Sequence, residues 1–341
     1  MRFQTFAENE CKNSSSLYES LSMNIKEDRE LLAVASEARP GQPVPNLLFG
    51  AVHYLLLKGK KHELKEFYPG LSKNARDPAQ AFSHFKDFCK IYQNEIIGLL
   101  RTKRVQTNEV RRTGYLYPCF SHIYQKTQKP LTLIEIGTSS GLQLLFDKYS
   151  YSYGDDQTYG DRNSSVHIHS EIRGEKQPLL LPESPPVAER IGIDLYVNDL
   201  SDEEDYLWMR ALIWPEHKER VKLFKKAAQM VKSNPPQLIE GDGVRLLDKL
   251  ALYAPEDSTL CIFHTHVANQ MPDDVKYDLI NKVTDLAQTR DLYHIYNNMW
   301  DRDLHLDSYI NGKLQSQVAA KTDGHARWFE WELEQNFLKM T

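Results

Sequence analysis

The chain has few cysteines and none of the close cysteine pairs that build disulfide frameworks or thiolate zinc sites. Its 341 residues include four cysteines, and no two of them have the CxxC spacing. We therefore do not expect a disulfide-stabilised secreted domain or a cysteine-ligated zinc site. Reduced, buried thiols are expected at Cys11, Cys89, Cys119 and Cys261.

Long apolar runs and a surplus of basic residues are also missing. The densest apolar segment, AVHYLLL at 51–57, is far too short to cross a bilayer, and the first residues lack the apolar core of a signal peptide. The formal net charge of -5 argues against a nucleic-acid partner, because phosphate binding needs a broad basic surface. We expect a soluble cytoplasmic protein without membrane attachment, and nothing in the sequence indicates its oligomeric state.

Residues 1–128 have the pattern of a helical domain. Ser14–Ser16 can cap a helix in which Leu17, Leu21 and Ile25 repeat with an α-helical period. After a proline-rich break, dense apolar segments predict further helices over 46–57, 78–100 and 116–124. We therefore predict an all-α N-terminal domain that acts as a cap.

From Lys129 onward, short apolar strands alternate with amphipathic helical segments. Helical segments are predicted over 142–149, over 202–232 with an interruption at Pro215, and over 273–289, and the polar residues 150–190 indicate a β-rich insertion. This alternation predicts that residues 129–341 form an α/β domain with a mostly parallel, Rossmann-like sheet. The predicted strands are LTLIEIG, RIGIDLYV, PQLIEGD, STLCIFHTHV and LYHIYNNMW.

The last part of the chain has the pattern of an antiparallel hairpin. The segments KLQSQVAAK and ARWFEWEL flank Thr322-Asp323-Gly324-His325. An Asp-Gly pair between two alternating segments is a strong hairpin signal. We predict that this C-terminal hairpin forms one edge of the sheet.

The strand LTLIEIG leads into a glycine-containing turn, Glu135-Ile-Gly137-Thr-Ser139-Ser-Gly141-Leu142. Glycines at a strand-to-helix turn let backbone amides approach a ligand closely, and a helix N-terminus at that point favours negative charge. A dinucleotide site would need its third glycine where Leu142 stands. A nicotinamide enzyme is therefore disfavoured.

The pattern E-x-G-x-S-x-G resembles motif I of the class I S-adenosylmethionine-dependent methyltransferases. The resemblance implies that Gly137, Ser139 and Gly141 cradle the methionine part of the cofactor and that Glu135 orients it. The chain departs from the family at Ser139, where the family has glycine. A side chain at this position can narrow the cradle, and its hydroxyl can equally bond the ligand.

Two later carboxylates follow glycines near predicted strand ends. Asp194 looks like the methyltransferase residue that binds both ribose hydroxyls, and Asp242 resembles the one that meets the adenine amino group. The alternative for both is a helix N-cap, in which the side-chain oxygen accepts the first backbone amides of a helix. The terminal hairpin is also similar to the antiparallel pair of that family.

Over its full length the chain is similar to an uncharacterised bacterial family, a domain of unknown function that joins such a fold to a helical N-terminal half. This similarity implies a fold and brings no known reaction. The segments that carry it are PNLLFGAVHYLLL, QTNEVRR, EIGTSSGL, RIGIDL, WMRALIWPE, EGDG and GHARWFEWE.

Histidines at the end of the fourth predicted strand are candidates for proton transfer near a reacting group. His264 and His266 would share one face of a strand because side chains alternate, and imidazole suits proton transfer near neutral pH. The alternative is a half-buried pair that only fills space. With His167 and His169 they could also supply four zinc ligands, but no accompanying carboxylate signature supports this, and we predict no metal.

The polar segment QTNEVRR at 106–112 lies between two predicted helices. Its ordinary interpretation is a solvated, charged linker. The alternative, which the family similarity favours, is a lid over the substrate side of the cradle. In that case Glu109 would serve in catalysis, and Asn108 and Arg111 would bind the substrate.

Together these features predict a methyltransferase that uses S-adenosylmethionine on an unidentified, small acceptor beneath the helical cap. Methyl transfer is an in-line displacement, so the protein mainly aligns the reactants and excludes water. This fits a chain without a recognisable Ser/His/Asp or Cys/His arrangement. The alternative is a non-catalytic protein of the same fold that binds a nucleoside ligand or regulates a partner, because the central glycine and an acceptor-side motif are absent.

Overall fold

A computed structural model describes residues 2–106 and 109–334 of the chain. Short 3-10 and π-helical turns connect several of its helices. The α-helices, numbered in chain order, are α1 (Arg2–Phe6), α2 (Ser16–Ile25), α3 (Arg29–Ala35), α4 (Val44–Leu57), α5 (Ala81–Ile91), α6 (Gln93–Thr102), α7 (Thr113–Thr127), α8 (Glu203–Ala211), α9 (Lys218–Ser233), α10 (Gly243–Ala251) and α11 (Asp273–Leu286).

The strands of the described residues belong to one large sheet and one small sheet. In chain order they are β1 (Leu131–Ile136), β2 (Ser150–Ser152), β3 (Tyr159–Gly160), β4 (His167–His169), β5 (Glu171–Arg173), β6 (Val187–Asp194), β7 (Gln237–Glu240), β8 (Thr259–His264), β9 (Leu292–Tyr296), β10 (Leu304–Ile310), β11 (Lys313–Thr322) and β12 (Trp328–Trp331).

The described residues divide into two compact units. The first takes those within 1–107 and 199–224, and the second takes those within 108–198 and 225–341. This division differs from the predicted one at residue 128, because α7 belongs to the second unit and the segment with α8 belongs to the first. None of the helices among these residues is both long and apolar enough to span a membrane.

The first unit is built on an apolar helical core. Ser15 caps α2 as expected, with its hydroxyl accepting from the amide of Tyr18, and the Tyr18 ring stacks on Phe49 at 4.3 Å between ring centroids. The single helix predicted over 78–100 is wrong. It is a 3-10 turn followed by α5 and α6, because Tyr92 leaves helical geometry (φ -106°, ψ 25°) where the two helices meet.

The nine-stranded sheet of the second unit confirms the predicted α/β fold with a mostly parallel sheet. Its strand order is β5-β12-β11-β10-β9-β8-β1-β6-β7, and β7, β6, β1, β8 and β9 are all parallel. The chain goes from β1 outward to β6 and β7, and then returns to the other side of β1 to form β8 and β9. The direction of strand addition therefore reverses between β1 and β8, next to the predicted loop.

The antiparallel part of the sheet is larger than predicted. The hairpin of β11 and β12 is present, but β10, which no pattern had indicated, pairs antiparallel with both β9 and β11. The prediction that this hairpin forms one edge of the sheet is also wrong. The outermost strand is β5, a part of the insertion that pairs with β12 in parallel, so the insertion completes the sheet.

The α-helix predicted over 142–149 is wrong. A 3-10 segment, Gln143–Lys148, occupies this position, and Leu145 within it has non-helical angles. The Tyr149 hydroxyl donates to the carbonyl of Leu142 at 2.7 Å, and the Tyr151 hydroxyl donates to that of Phe146 at 2.6 Å. These hydroxyl groups bond two carbonyls of the segment to the chain that follows it.

Candidate functional site

The glycine-containing loop lies at the carboxyl end of the central strand β1. Gly137 and Gly141 have φ of 76° and 75°, in the left-handed region that suits glycine. Both are also tightly packed: a Cβ on Gly137 would lie 2.7 Å from Val267 Cγ2, and one on Gly141 would lie 2.7 Å from Pro236 Cγ. The lack of a side chain at these two positions therefore lets the loop pack closely against Val267 and Pro236.

Ser139 and Asp194 join this loop to the neighbouring strand β6. Ser139 is left-handed (φ 54°), and its amide donates to Asp194 Oδ2 at 2.8 Å. The other carboxylate oxygen, Oδ1, accepts from the amide of Tyr196 at 3.1 Å. Asp194 is half-buried, so its carboxylate organises two backbone segments at a position that is still partly accessible.

The serine that replaces the expected glycine has a structural partner. Asn198 donates its side-chain amide to Ser139 Oγ at 3.1 Å and its backbone amide to Ser139 O at 3.0 Å. Left-handed geometry costs about 1–2 kcal/mol for a residue with a Cβ. These two bonds, with the bond to Asp194, offset that cost.

Glu135 is the last polar side chain of β1 and is only 2% exposed. Its Oε2 accepts from the Thr138 hydroxyl at 2.6 Å. Burial raises the pKa of Glu135 to about 8; the nearby charge of Asp194 also raises it, while the Thr138 bond and Arg112 lower it. At neutral pH this carboxyl group is therefore mostly protonated and can donate as well as accept a hydrogen bond.

Asp242 follows β7 and has the geometry of a helix cap. Its Oδ1 accepts from the amides of Val244 and Arg245 at 3.0 and 3.2 Å, at the start of α10. Its Oδ2 lies 3.4 Å from Arg245 Nε. The cap that was the alternative interpretation is thus present, and an adenine contact at Asp242 stays a prediction.

The two histidines at the end of β8 and just after it have different surroundings, and the expectation that they share a strand face is wrong. His264 is fully buried, with its ring 5.2 Å from His294 and 5.7 Å from Tyr296. The strand ends at His264, so alternation does not extend to His266, which adopts φ 60°. The pKa of each imidazole is lowered to about 3, mainly by burial; at His266 the charges of Arg112 and His325 also lower it, while Asp323 raises it.

A buried polar network surrounds His266. Its backbone amide donates to Asn297 Oδ1 at 2.8 Å, and Asn297 Nδ2 donates to the Tyr115 hydroxyl at 3.4 Å. Beside it, the Thr265 hydroxyl donates to Gln143 Oε1 at 3.0 Å. Asn297, Tyr115 and Gln143 were not predicted. Only the Asn-Asn pair at the end of LYHIYNNMW hinted at a polar strand end.

The predicted lid segment lies partly outside the described residues, and Asn108 is among those not described. Glu109 is buried, and its Oε1 accepts from the amide of Arg111 at 3.2 Å, which caps a 3-10 turn. Arg111 is half-buried. Arg112 is buried, donates from Nε to the carbonyl of Gly324 at 3.2 Å, and influences the pKa of Glu135, so the end of this segment lies beside the loop.

The histidines of the insertion form a separate group on the small sheet of β3, β2 and β4. His167 and His169 contact the hydroxyls of Ser150 and Ser152. Within residues 2–106 and 109–334, no three histidine, cysteine, aspartate or glutamate side chains are grouped to hold a metal ion. The four histidines considered as zinc ligands are therefore not assembled into one site.

A surface cavity of about 810 Å³ lies at the amino ends of strands β8 and β9, opposite the ends that carry the loop. It is lined by Ser258 and Thr259 at the start of β8, and by Asp291 and Tyr293 at the start of β9. Ligands of open α/β sheets bind beyond the carboxyl ends of the strands. The cavity is therefore not the predicted cofactor site.

The strand order and the loop define an α/β protein whose candidate ligand site lies where the direction of strand addition reverses. Comparison with known families adds one assignment. The chain belongs to the family described as "Uncharacterized protein conserved in bacteria (DUF2332)", whose model matches residues 1–331. This confirms the similarity to an uncharacterised bacterial family. No curated protein and no solved structure matches the chain.

Proposed function

We propose that this protein is an S-adenosylmethionine-dependent methyltransferase that acts on a small acceptor. The observation that carries the proposal is the bond between the Ser139 amide and Asp194. It links the motif I-like loop after β1 to the carboxylate that ends β6. In open α/β sheets, ligands bind where the strand order reverses, and this loop lies at the reversal between β1 and β8.

The hydrogen-bonding groups at the loop are compatible with the cofactor. A carboxylate offers about four acceptor positions, so the bonds that Asp194 accepts from Ser139 and Tyr196 can coexist with a bond from a ribose hydroxyl. Glu135, mostly protonated at neutral pH, can hydrogen-bond the methionine part without adding a second full charge beside Asp194. Gly137, Ser139 and Gly141 would form the cradle, and Asp242 would meet the adenine.

The chemistry needed from the protein is limited. The cofactor supplies an electrophilic methyl group when bound, and the protein aligns the acceptor and keeps water out. His266 follows the strand next to β1 and is half-buried. With its pKa lowered to about 3, its imidazole is neutral at neutral pH, and a neutral imidazole nitrogen can accept a hydrogen bond from an acceptor hydroxyl or amine. His264 would support this region from within the core, while Glu109, Asn108 and Arg111 would act on the substrate side.

A non-catalytic ligand-binding protein is the second candidate. The observation that favours it is that the carboxyl groups of the site already accept hydrogen bonds from residues of the protein. Asp194 accepts two backbone amides, and Glu135 is buried with Thr138 as its hydrogen-bond donor. A site organised in this way can bind a nucleoside ligand and still lack the open acceptor side that turnover needs.

Titration of the full-length protein with S-adenosylmethionine, and separately with S-adenosylhomocysteine, tests the proposal. A methyltransferase binds both, and transfers radiolabelled methyl groups to at least one compound in a broad panel of small hydroxyl, amine and thiol acceptors. Binding without transfer would favour the second candidate. Failure of both ligands to bind at millimolar concentration would contradict the methyltransferase proposal.

A further inference from the structure

Two serines and two histidines of the insertion form a continuous hydrogen-bonded row across β2 and β4. The two strands are parallel, with Ser150 opposite His167 and Ser152 opposite His169. Ser150 Oγ lies 3.0 Å from His167 Nδ1, and Ser152 Oγ lies 2.9 Å from His167 Nε2. One imidazole therefore bridges two hydroxyls through its two nitrogens.

The direction of these hydrogen bonds follows from the partner of Ser150. A carbonyl oxygen only accepts, and Ser150 donates its single hydroxyl proton to the carbonyl of Val166 at 3.2 Å. Ser150 Oγ must then accept from His167, which places the imidazole proton on Nδ1. His167 Nε2 is left with a lone pair directed at Ser152, so Ser152 donates its hydroxyl proton to His167.

His169 completes the arrangement. Its Nδ1 lies 3.0 Å from Ser152 Oγ. Because the Ser152 proton is directed to His167, this bond is a donation from His169 to Ser152. Burial lowers the pKa of His167, and the neighbouring His169 and Lys226 lower it further. His167 is therefore neutral at pH 7, in the form that accepts a proton.

The geometry points to Ser152 as the nucleophile of a second site, an acyl-transfer site for small activated esters in which His167 is the base and Ser150 orients the base. A hydroxyl, an imidazole base and a group that fixes the base's tautomer are the parts that activate a serine. This inference is independent of the proposed cofactor site, because none of its residues belongs to the loop after β1.

The surface around Ser152 is open to a substrate. Ser152 is half-buried, and both histidines are exposed. Gly154, two residues further on, has φ 92°, and a Cβ placed on it would have no neighbour within 4 Å. The Ser152 side chain is thus partly accessible, and the turn that follows β2 at Gly154 is not crowded by neighbouring side chains.

The reaction balances with water as the only co-reactant. Ser152 Oγ adds to the ester carbonyl carbon while its proton passes to His167 Nε2. The bond from that carbon to the leaving oxygen breaks, the alcohol departs with the proton, and the acyl group stays on Oγ. Water then adds to the acyl carbon as His167 takes one of its protons. The bond to Oγ breaks, the proton returns to Oγ, and the carboxylic acid is released.

Labelling with diisopropyl fluorophosphate tests the inference on the full-length protein. The reagent forms a phosphorus–oxygen bond with an activated serine and releases fluoride. Intact-mass and peptide mass spectrometry should find one adduct on Ser152. Hydrolysis of p-nitrophenyl acetate should fall about 10²–10⁴-fold in His167→Gln, the range for loss of a general base, and at least as far in Ser152→Ala, which lacks the nucleophile.

The control is Ser308→Ala, which removes a hydroxyl that contacts a backbone carbonyl and no imidazole. This variant should be labelled and should hydrolyse the ester like the wild type. Thermal melts of all variants check that the fold is retained. Absence of an adduct on Ser152 in the wild type, or equal labelling rates in folded His167→Gln, would overturn the inference. Binding of S-adenosylmethionine should be unchanged in Ser152→Ala, so this test and that of the proposed function can fail separately.

Discussion

The amide of Ser139 donates to Asp194 Oδ2 at 2.8 Å, across 55 residues of sequence. This bond ties the loop after β1 to the end of β6. Ser139 can make it because its left-handed backbone (φ 54°) turns the amide toward the neighbouring strand. The same carboxylate that was predicted to bind ribose is therefore also part of the framework that shapes the cradle, and the two roles need experiments that separate them.

Close packing of β6 against the loop predicts a stability effect at Gly192. A Cβ there would lie 2.6 Å from Thr138 Oγ1 and 2.7 Å from Leu238 Cδ2. Gly192→Ala should lower the free energy of unfolding by about 1–3 kcal/mol, as overpacking does. Gly98→Ala is the control, since its Cβ would have no neighbour within 4 Å, and in the middle of α6 it should stabilise by about 0.5–1 kcal/mol. Equal urea midpoints for the two variants would contradict this packing.

The raised pKa of Glu135 should make the stability of the protein depend on pH. Burial raises its pKa from 4.5 to about 8, so between these values the folded protein keeps a proton that the unfolded chain has lost. The contribution of Glu135 to stability is complete below pH 4.5, and it is lost as the pH rises toward 8. Urea unfolding at several pH values should show the free energy of unfolding falling by roughly 1 kcal/mol per pH unit from this group.

Glu135→Gln is the matched variant for that measurement, because the amide cannot titrate. His264 and His266 have pKa values lowered to about 3, so they act with the opposite sign, raising stability as the pH increases from 3 to 6.5. From pH 6.5 to 8 the difference in stability between wild type and Glu135→Gln therefore reports on Glu135. If wild type and Glu135→Gln lose stability in parallel across that window, Glu135 is ionised in the folded protein and our account of its burial is wrong.

Replacement of Asp242 should remove the N-cap of helix α10. Asp242→Ala removes the acceptor of the Val244 and Arg245 amides and should cost about 1 kcal/mol of stability. Asp242→Asn keeps a side-chain oxygen that can accept both amides, so it should melt close to the wild type. An asparagine variant as unstable as the alanine variant would show that the charge, and not the cap, matters at this position.

The strands of the parallel sheet were predictable, because each is a short apolar run bounded by glycine or a turn. The strand β10 was not, since LHLDSYI carries polar residues on a buried sheet: Asp307 is 3% exposed and accepts from the Tyr296 hydroxyl at 3.2 Å. Local pattern cannot show that a polar side chain has a partner on the next strand. The apolar pattern after Leu142 likewise does not show that the hydroxyls of Tyr149 and Tyr151 bond to carbonyls of this segment.

In the candidate site, too, residues within local sequence patterns were predicted and residues brought in from distant elements were missed. Glu135, Gly137, Ser139, Gly141 and Asp194 were found because they stand in short patterns at strand ends. The polar residues around His266 could not be found in this way. Asn297 and Tyr115 are 182 residues apart, and Thr265 and Gln143 are 122 apart, so only the tertiary fold brings each pair together.

The most direct test of the proposed function is calorimetric titration of S-adenosylmethionine into wild type, Asp194→Ala and Asp242→Ala, with thermal melts of each. If Asp194 binds both ribose hydroxyls, its replacement removes two bonds to a charged acceptor, each worth about 1.5–3 kcal/mol. Water solvates the freed hydroxyls, so the net loss should be about ten- to a hundredfold in affinity, or roughly 1.5–3 kcal/mol. Asp194→Asn, which keeps an oxygen for the Ser139 amide, should lose affinity with a smaller change in melting temperature. A lower melting temperature with unchanged affinity in Asp194→Ala, or no binding to the wild type, would contradict the assignment of this loop as a cofactor site.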